Sequence, residues 1–198
     1  MPARLNICFL IRACLLVCVW ADYGLAQNGD SFFDSEPAIE HAASKLEATL
    51  VEIDYNTTLH PSHTDPETGK WVVENMKREE WTSGFFAGSL WKMYRITGDE
   101  KWRNAPAEWT ADLEPMSLGA SDHDTGFRIF TSYGSGFLLT DNLSYSRTIL
   151  RGAQTLATRF NPDIGAIKSW DWIGTFPVII DNLMNLEILF WAAEETGS

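Results

Sequence analysis

No cysteine lies beyond residue 18. The chain's three, Cys8, Cys14 and Cys18, all sit in one apolar stretch near its start. Past that stretch no disulfide and no thiolate metal site can form. Basic residues are scarce as well: 15 Lys and Arg face 27 Asp and Glu in 198 residues, a formal net charge of −12. That balance argues against nucleic acid or an anionic membrane as partner, because both need a basic face. A small anionic ligand stays open, since a few local donors hold it whatever the net charge. The apolar stretch itself, Ile7 to Trp20, carries Arg12 and is too short to span a bilayer.

What that stretch does resemble is an export signal. Arg4 supplies a basic start, Ile7 to Trp20 an apolar middle, and Gly24-Leu25-Ala26 a small-residue cleavage site before Gln27. Residues 1–26 are therefore expected to be a signal peptide, with 27–198 the mature chain, secreted or periplasmic. Leu15-Leu16-Val17-Cys18 is a poor lipoprotein box, because valine precedes the cysteine. Cleavage would remove Arg4, Arg12 and Asp22, leaving 13 basic and 26 acidic residues, or −13. Asn56-Thr57-Thr58 and Asn142-Leu143-Ser144 are glycosylation sequons, of consequence only in a eukaryotic source.

Aromatic residues are what the chain has in excess: nine Trp, eleven Phe and five Tyr. They suit a large core, or a cleft that stacks the flat faces of sugars. Beyond residue 33 the pattern is helical throughout. Ser35 is expected to cap a helix whose face is Ile39, Ala42, Ala43, Leu46, Leu50 and Ile53. A turn-rich loop follows, from His60-Pro61 to Thr68-Gly69. From Ser83 to Thr97 the chain is apolar nearly all round (Phe85, Phe86, Leu90, Trp91, Met93, Tyr94), which predicts a buried helix.

Thr97-Gly98-Asp99 closes that helix and caps another, faced by Trp102, Ala105, Trp109 and Leu113. Pro106 lies inside it, where proline costs about 3 kcal/mol or forces a kink. A fourth helix is expected over Thr125 to Leu139 with Phe127, Phe130, Gly134 and Phe137 on one side. A fifth runs from Ser144 to Phe160, and a sixth starts at Asp181 with Leu183, Leu186, Phe190 and Ala193 on its face. Buried helices alternate with amphipathic ones, as in an inner and an outer ring. The turns ending Thr97-Gly98-Asp99, Thr140-Asp141 and Thr196-Gly197-Ser198 mark a repeating helix–turn–helix unit. The last is a connector with nothing after it, so the sequence is expected to be cut short.

Two segments carry candidate chemistry. His123-Asp124-Thr125-Gly126-Phe127 opens the fourth helix, and Pro177-Val178-Ile179-Ile180-Asp181-Asn182 opens the sixth. Each puts an aspartate at a helix start, where it is ordinarily a cap. Two such aspartates on successive inner helices, beside His123, Trp170 and Asn182, point instead to one shared cleft. There paired carboxyls can divide acid and base roles, one charge raising the pKa of the other. His60-x-x-His63-x-Asp65 has metal-like spacing but lies in a Pro/Thr-rich loop and is expected to be solvated. Gly134-Ser135-Gly136 is no nucleophile elbow, because no strand precedes it; small residues there allow close helix packing.

Trp81-Thr82-Ser83-Gly84-Phe85-Phe86, the run from His123 to Phe127, and the run from Phe176 to Trp191 resemble, in order and spacing, the signatures of glycoside hydrolase family 88. The resemblance covers Ser35 to the end of the chain. It implies an all-α (α/α)6 barrel, about half of it within this chain, and an enzyme, an unsaturated glucuronyl hydrolase. Carried over by position, it implies that Asp181 is the general acid/base and Asp124 the second essential carboxylate. Trp81, His123 and Trp170 would contact substrate, with Asn182 beside them. No metal and no cofactor are implied. The implied substrate is a small anionic oligosaccharide ending in a 4,5-unsaturated uronic acid, left by a polysaccharide lyase. Two other readings stand beside it: a hydrolase for unsaturated galacturonyl or rhamnogalacturonyl ends from a neighbouring helical-barrel family, and a non-catalytic carbohydrate-binding fragment. The His-Asp-x-Gly-Phe run favours the glucuronyl reading over the galacturonyl or rhamnogalacturonyl one.

Overall fold

The computed structural model describes residues 34–119 and 121–197; the expected export signal lies outside them. Backbone contacts divide the chain into two units, Met1–Lys45 and Leu46–Ser198. Helix α1, Glu36–Glu52, contains the boundary. Asp34 starts it, accepting the Glu36 N–H at 3.1 Å, so the side chain that serves the helix start is Asp34 and not the expected Ser35. On the second unit's part of α1 and just past it, Leu50 and Ile53 are buried, as their spacing predicts.

The second unit is helical. Its helices are α2 (Ser83–Thr97), α3 (Lys101–Asp112), a π-helix (Gly126–Gly134) that runs into α4 (Ser135–Thr140), α5 (Leu143–Ala157), α6 (Asn182–Asn185) and α7 (Glu187–Thr196). One short hairpin interrupts them: β1 (Phe160–Asn161) pairs antiparallel with β2 (Ala166–Ile167). Among the described residues no helix is long and apolar enough to cross a membrane.

α2 packs on α3 and on the π-helix, and α5 packs on the π-helix and on α7. Gly84 on α2 makes the contact with the π-helix close. A Cβ there would run into the carbonyl oxygens of Phe127 and Arg128, so only glycine lets the two backbones approach. Trp91, Trp102 and Trp109 fill the α2–α3 layer. Each buried indole removes on the order of 200 Å² from water, an upper-bound gain of about 5 kcal/mol before entropy. Two of their N–H groups are met as well: Trp91 donates to Thr110 Oγ1 at 3.0 Å and Trp109 to the Leu59 carbonyl at 2.9 Å. A second cluster of Ile129, Tyr133, Ile149, Leu156, Ile167 and Ile188 joins the π-helix, α5, the hairpin and α7. α3 runs through Pro106 without a break and buries its ring.

Three local expectations are corrected. His60 is fully buried, not solvated: Nε2 lies 2.9 Å from Asp112 Oδ2 and Nδ1 lies 3.3 Å from the Ser83 carbonyl, while His63 is exposed. The His60–Asp65 spacing therefore builds a loop anchor and no metal site. Phe160 is exposed on β1, because α5 ends at Ala157. On the last helices the buried face is Asn182, Asn185 and Ile188, whereas Leu183 and Phe190 are exposed. A break at Leu186 divides α6 from α7 and shifts the helical phase.

Candidate active site

Residues 121–124 and 169–171 run side by side. Asp122 bridges Trp170, His123 donates its N–H to the Ser169 carbonyl at 2.9 Å, and Asp171 donates to the Ser121 carbonyl at 2.9 Å. This pairing sets His123 and Trp170 next to each other, with ring centroids 6.1 Å apart and edge to face. His123 is buried, and its Nε2 lies 3.6 Å from Asp124 Oδ1 and 3.7 Å from Asp181 Oδ2. One oxygen from each carboxylate and one ring nitrogen lie within 4.8 Å of one another. Neither aspartate acts as a side-chain cap: Asp181 stands at the start of α6 without a capping bond, and the Asp124 N–H is met by Asp122. Asp181 Oδ1 and both His123 ring nitrogens are buried without a hydrogen-bond partner. Unsatisfied groups gathered in this way are rare in a packed interior and call for a role.

The two carboxyls differ in surroundings. Asp124 is buried. That burial, aided by the charges of Asp122 and Asp181 and opposed by His123 and Arg128, raises its pKa. Asp181 keeps about a third of its side chain exposed. Burial thus opposes charge on Asp124 itself.

The cleft beside these residues has a volume of about 410 Å³ and is lined by Glu79, Glu80, Trp81, Asp122, Asp124, Arg128, Trp170, Trp172 and Ile173. Trp81 is half exposed at its edge and packs against Phe85 and Phe127, each at 6.0 Å between centroids. Asn182 has another place. It is buried, accepts from Ser169 Oγ at 2.8 Å and donates to the Ile167 carbonyl at 2.6 Å. Its amide is committed to holding the 167–169 segment, so it positions Trp170 from behind and is not free to contact a ligand.

Several known proteins are similar to the chain. The chain is 42% identical over 130 residues to the unsaturated glucuronyl hydrolase of Formosa agariphila, covering 64% of this chain and 32% of that protein. It superposes on the crystal structure of an unsaturated glucuronyl hydrolase specific for heparin with a TM-score of 0.74 and 33% identity. That match covers 83% of this chain and 44% of the other. The chain is a homologue of the unsaturated glucuronyl hydrolases. Its helices correspond to part of their (α/α)6 barrel, and it spans less than half the length of the relatives it matches. No protein-family model matches it. A Streptococcus agalactiae homologue has been solved as an aspartate-to-asparagine variant complexed with the unsaturated disaccharide dGlcA-GalNAc6S. It is 27% identical, with a TM-score of 0.64, over 82% of this chain and 38% of that one.

In this glucuronyl hydrolase homologue three further residues shape the site. Arg128 is buried and binds Asp122 through two hydrogen bonds of 2.7 and 3.0 Å, while donating to the carbonyls of Glu79 and Glu80. Burial alone would raise the Asp122 pKa, but the bonds and charge of Arg128 outweigh it and hold that carboxyl below its ordinary value. Asp122 then accepts the Asp124 N–H at 3.0 Å. Asn185 accepts the Phe127 N–H at 2.8 Å, so it caps the π-helix, and its amide nitrogen lies 3.4 Å from Asp124 Oδ1. Gly126 lets Asn185 come this close, since a Cβ would strike its backbone. The signal for Arg128 was present in the sequence: one arginine amid the apolar helix Gly126–Phe137.

Proposed function

We propose that the full-length protein hydrolyses the 4,5-unsaturated uronic acid from the non-reducing end of lyase-generated oligosaccharides. The observation that carries this reading is the convergence of Asp124 and Asp181 on His123, beside a cleft flanked by Trp81 and Trp170. In the proposed reaction the Asp181 carboxylic acid protonates C4 of the C4=C5 double bond, and the ring oxygen stabilises the cation left at C5. Water adds at C5 and gives its proton to the Asp181 carboxylate, which restores the acid. The hemiketal opens and the neighbouring sugar leaves. Attack is not at the anomeric carbon, so the carboxyl spacing rules of ordinary glycosidases do not govern it. Asp124, its proton held more firmly by burial, faces the same sugar, and His123 and the two tryptophans contact it.

His123, Asp124 and Asp181 also have the spacing of a cation site, but hydration of an enol ether needs only an acid and a base. Export follows from the pattern of residues 1–26, and N-terminal sequencing of the native protein should find Gln27 first. The activity itself is tested by incubating the full-length protein with an unsaturated uronyl disaccharide. Loss of the double bond's ultraviolet absorbance, with release of the free partner sugar, is the expected result. Persistence of the absorbance with excess protein would refute the reading.

A further inference from the structure

Trp172 is not used by the reaction above, and its setting is unusual. It is 65% exposed, yet it stacks on Trp170 with centroids 5.9 Å apart and planes 27° from parallel. The residue between the two indoles is pinned. Asp171 accepts two bonds from Arg159 at 3.0 and 3.1 Å, pairs with Lys168 at 3.3 Å, and donates its N–H to the Ser121 carbonyl. An exposed indole on a loop ordinarily pays rotamer entropy when it binds something. Here the stack and the ion pairs have fixed the loop beforehand, which is how preorganised sites gain affinity.

The order of groups outward from the carboxyls is His123, then Trp170, then Trp172, and Asp124, Trp170 and Trp172 line the same cleft. Ile173 and Trp81 add to its apolar edge. Such a rim suits the C–H face of a pyranose ring. The reacting uronic acid must lie at Asp124 and Asp181, so a ring resting on Trp172 is the next one along the chain.

We propose that Trp172 is a specificity-determining residue that stacks against the leaving sugar, the ring attached to C1 of the unsaturated uronic acid. This rests on the hydrolase reading above. The test uses the full-length protein and two substrates, an unsulfated unsaturated disaccharide and the methyl glycoside of the same unsaturated uronic acid, which has no leaving ring. Trp172→Ala raises KM for the disaccharide about fivefold more than for the methyl glycoside, in line with a stacking contribution of about 1 kcal/mol. Trp172→Phe, which keeps a flat ring, retains most of the wild-type discrimination. An equal rise in KM for both substrates, or no rise, overturns the proposal: the first outcome would make Trp172 only a support for Trp170. Wild-type protein that turns over neither substrate sinks the hydrolase reading itself, a result distinct from either.

Discussion

At the scale of residues, Asp124 shows how position in the sequence and physical state part company. The sequence places both aspartates at helix starts, and that much was legible. Which of them burial penalises was not, because it depends on Asp122, Arg128 and Asn185 closing around Asp124 from three elements. Asp124 has a folded-state pKa above its unfolded one. Its contribution to stability is therefore fullest at low pH and is lost as pH rises through the raised value. Asp124→Asn, which cannot ionise, should melt higher than wild type at neutral pH, with the gap closing in acid. Turnover should still fall at least about a hundredfold; calorimetry across pH beside an activity assay checks both parts. Asp122 has the opposite sign. Its lowered pKa means the Arg128 pair stabilises the fold above the ordinary carboxylate range and stops doing so as pH falls through the lowered value. Arg128→Met leaves a buried carboxylate without its partner and should cost about 3–5 kcal/mol near neutrality. Denaturant titrations should show that deficit shrinking in acid.

At the scale of elements, periodicity located α3 and α5 because each has one continuous apolar face, and α2 because it is apolar nearly all round. It failed on the last helices because their buried face is built from Asn182 and Asn185, which a hydrophobic pattern counts as outward. Both amides are satisfied inside, by Ile167 and Ser169 in one case and by the Phe127 N–H in the other. The π form of Gly126–Gly134 was also hidden. It accompanies hydroxyls that bond back onto the helix, Thr131 to the Phe127 carbonyl and Ser132 to the Arg128 carbonyl, and no apolar pattern encodes that. The packing of α2 on this helix depends on Gly84. Gly84→Ala should destabilise by about 1–3 kcal/mol, the usual range for overpacking a close contact, seen as a lower melting temperature. An unchanged melt would mean that the two backbones can part freely.

At the scale of the whole molecule, the helical class and the ring-like alternation were legible from the first, whereas the surface was not. Ile180, Leu183, Met184 and Phe190 are each more than 60% exposed. An apolar surface of this kind drives association. Expressed as these 198 residues alone, the chain should be oligomeric or aggregated in light scattering; a clean monomer with a sharp cooperative melt would contradict this. The central claim concerns the complete protein, and Asp181→Asn tests it most directly. Asp181 makes no side-chain capping bond, so the nearly isosteric change should leave the melting temperature within the error of wild type. If Asp181 supplies and recovers the proton, loss of the double bond's absorbance on an unsaturated uronyl disaccharide should slow by at least about a hundredfold. Wild-type rates from an equally stable Asp181→Asn protein would contradict the account.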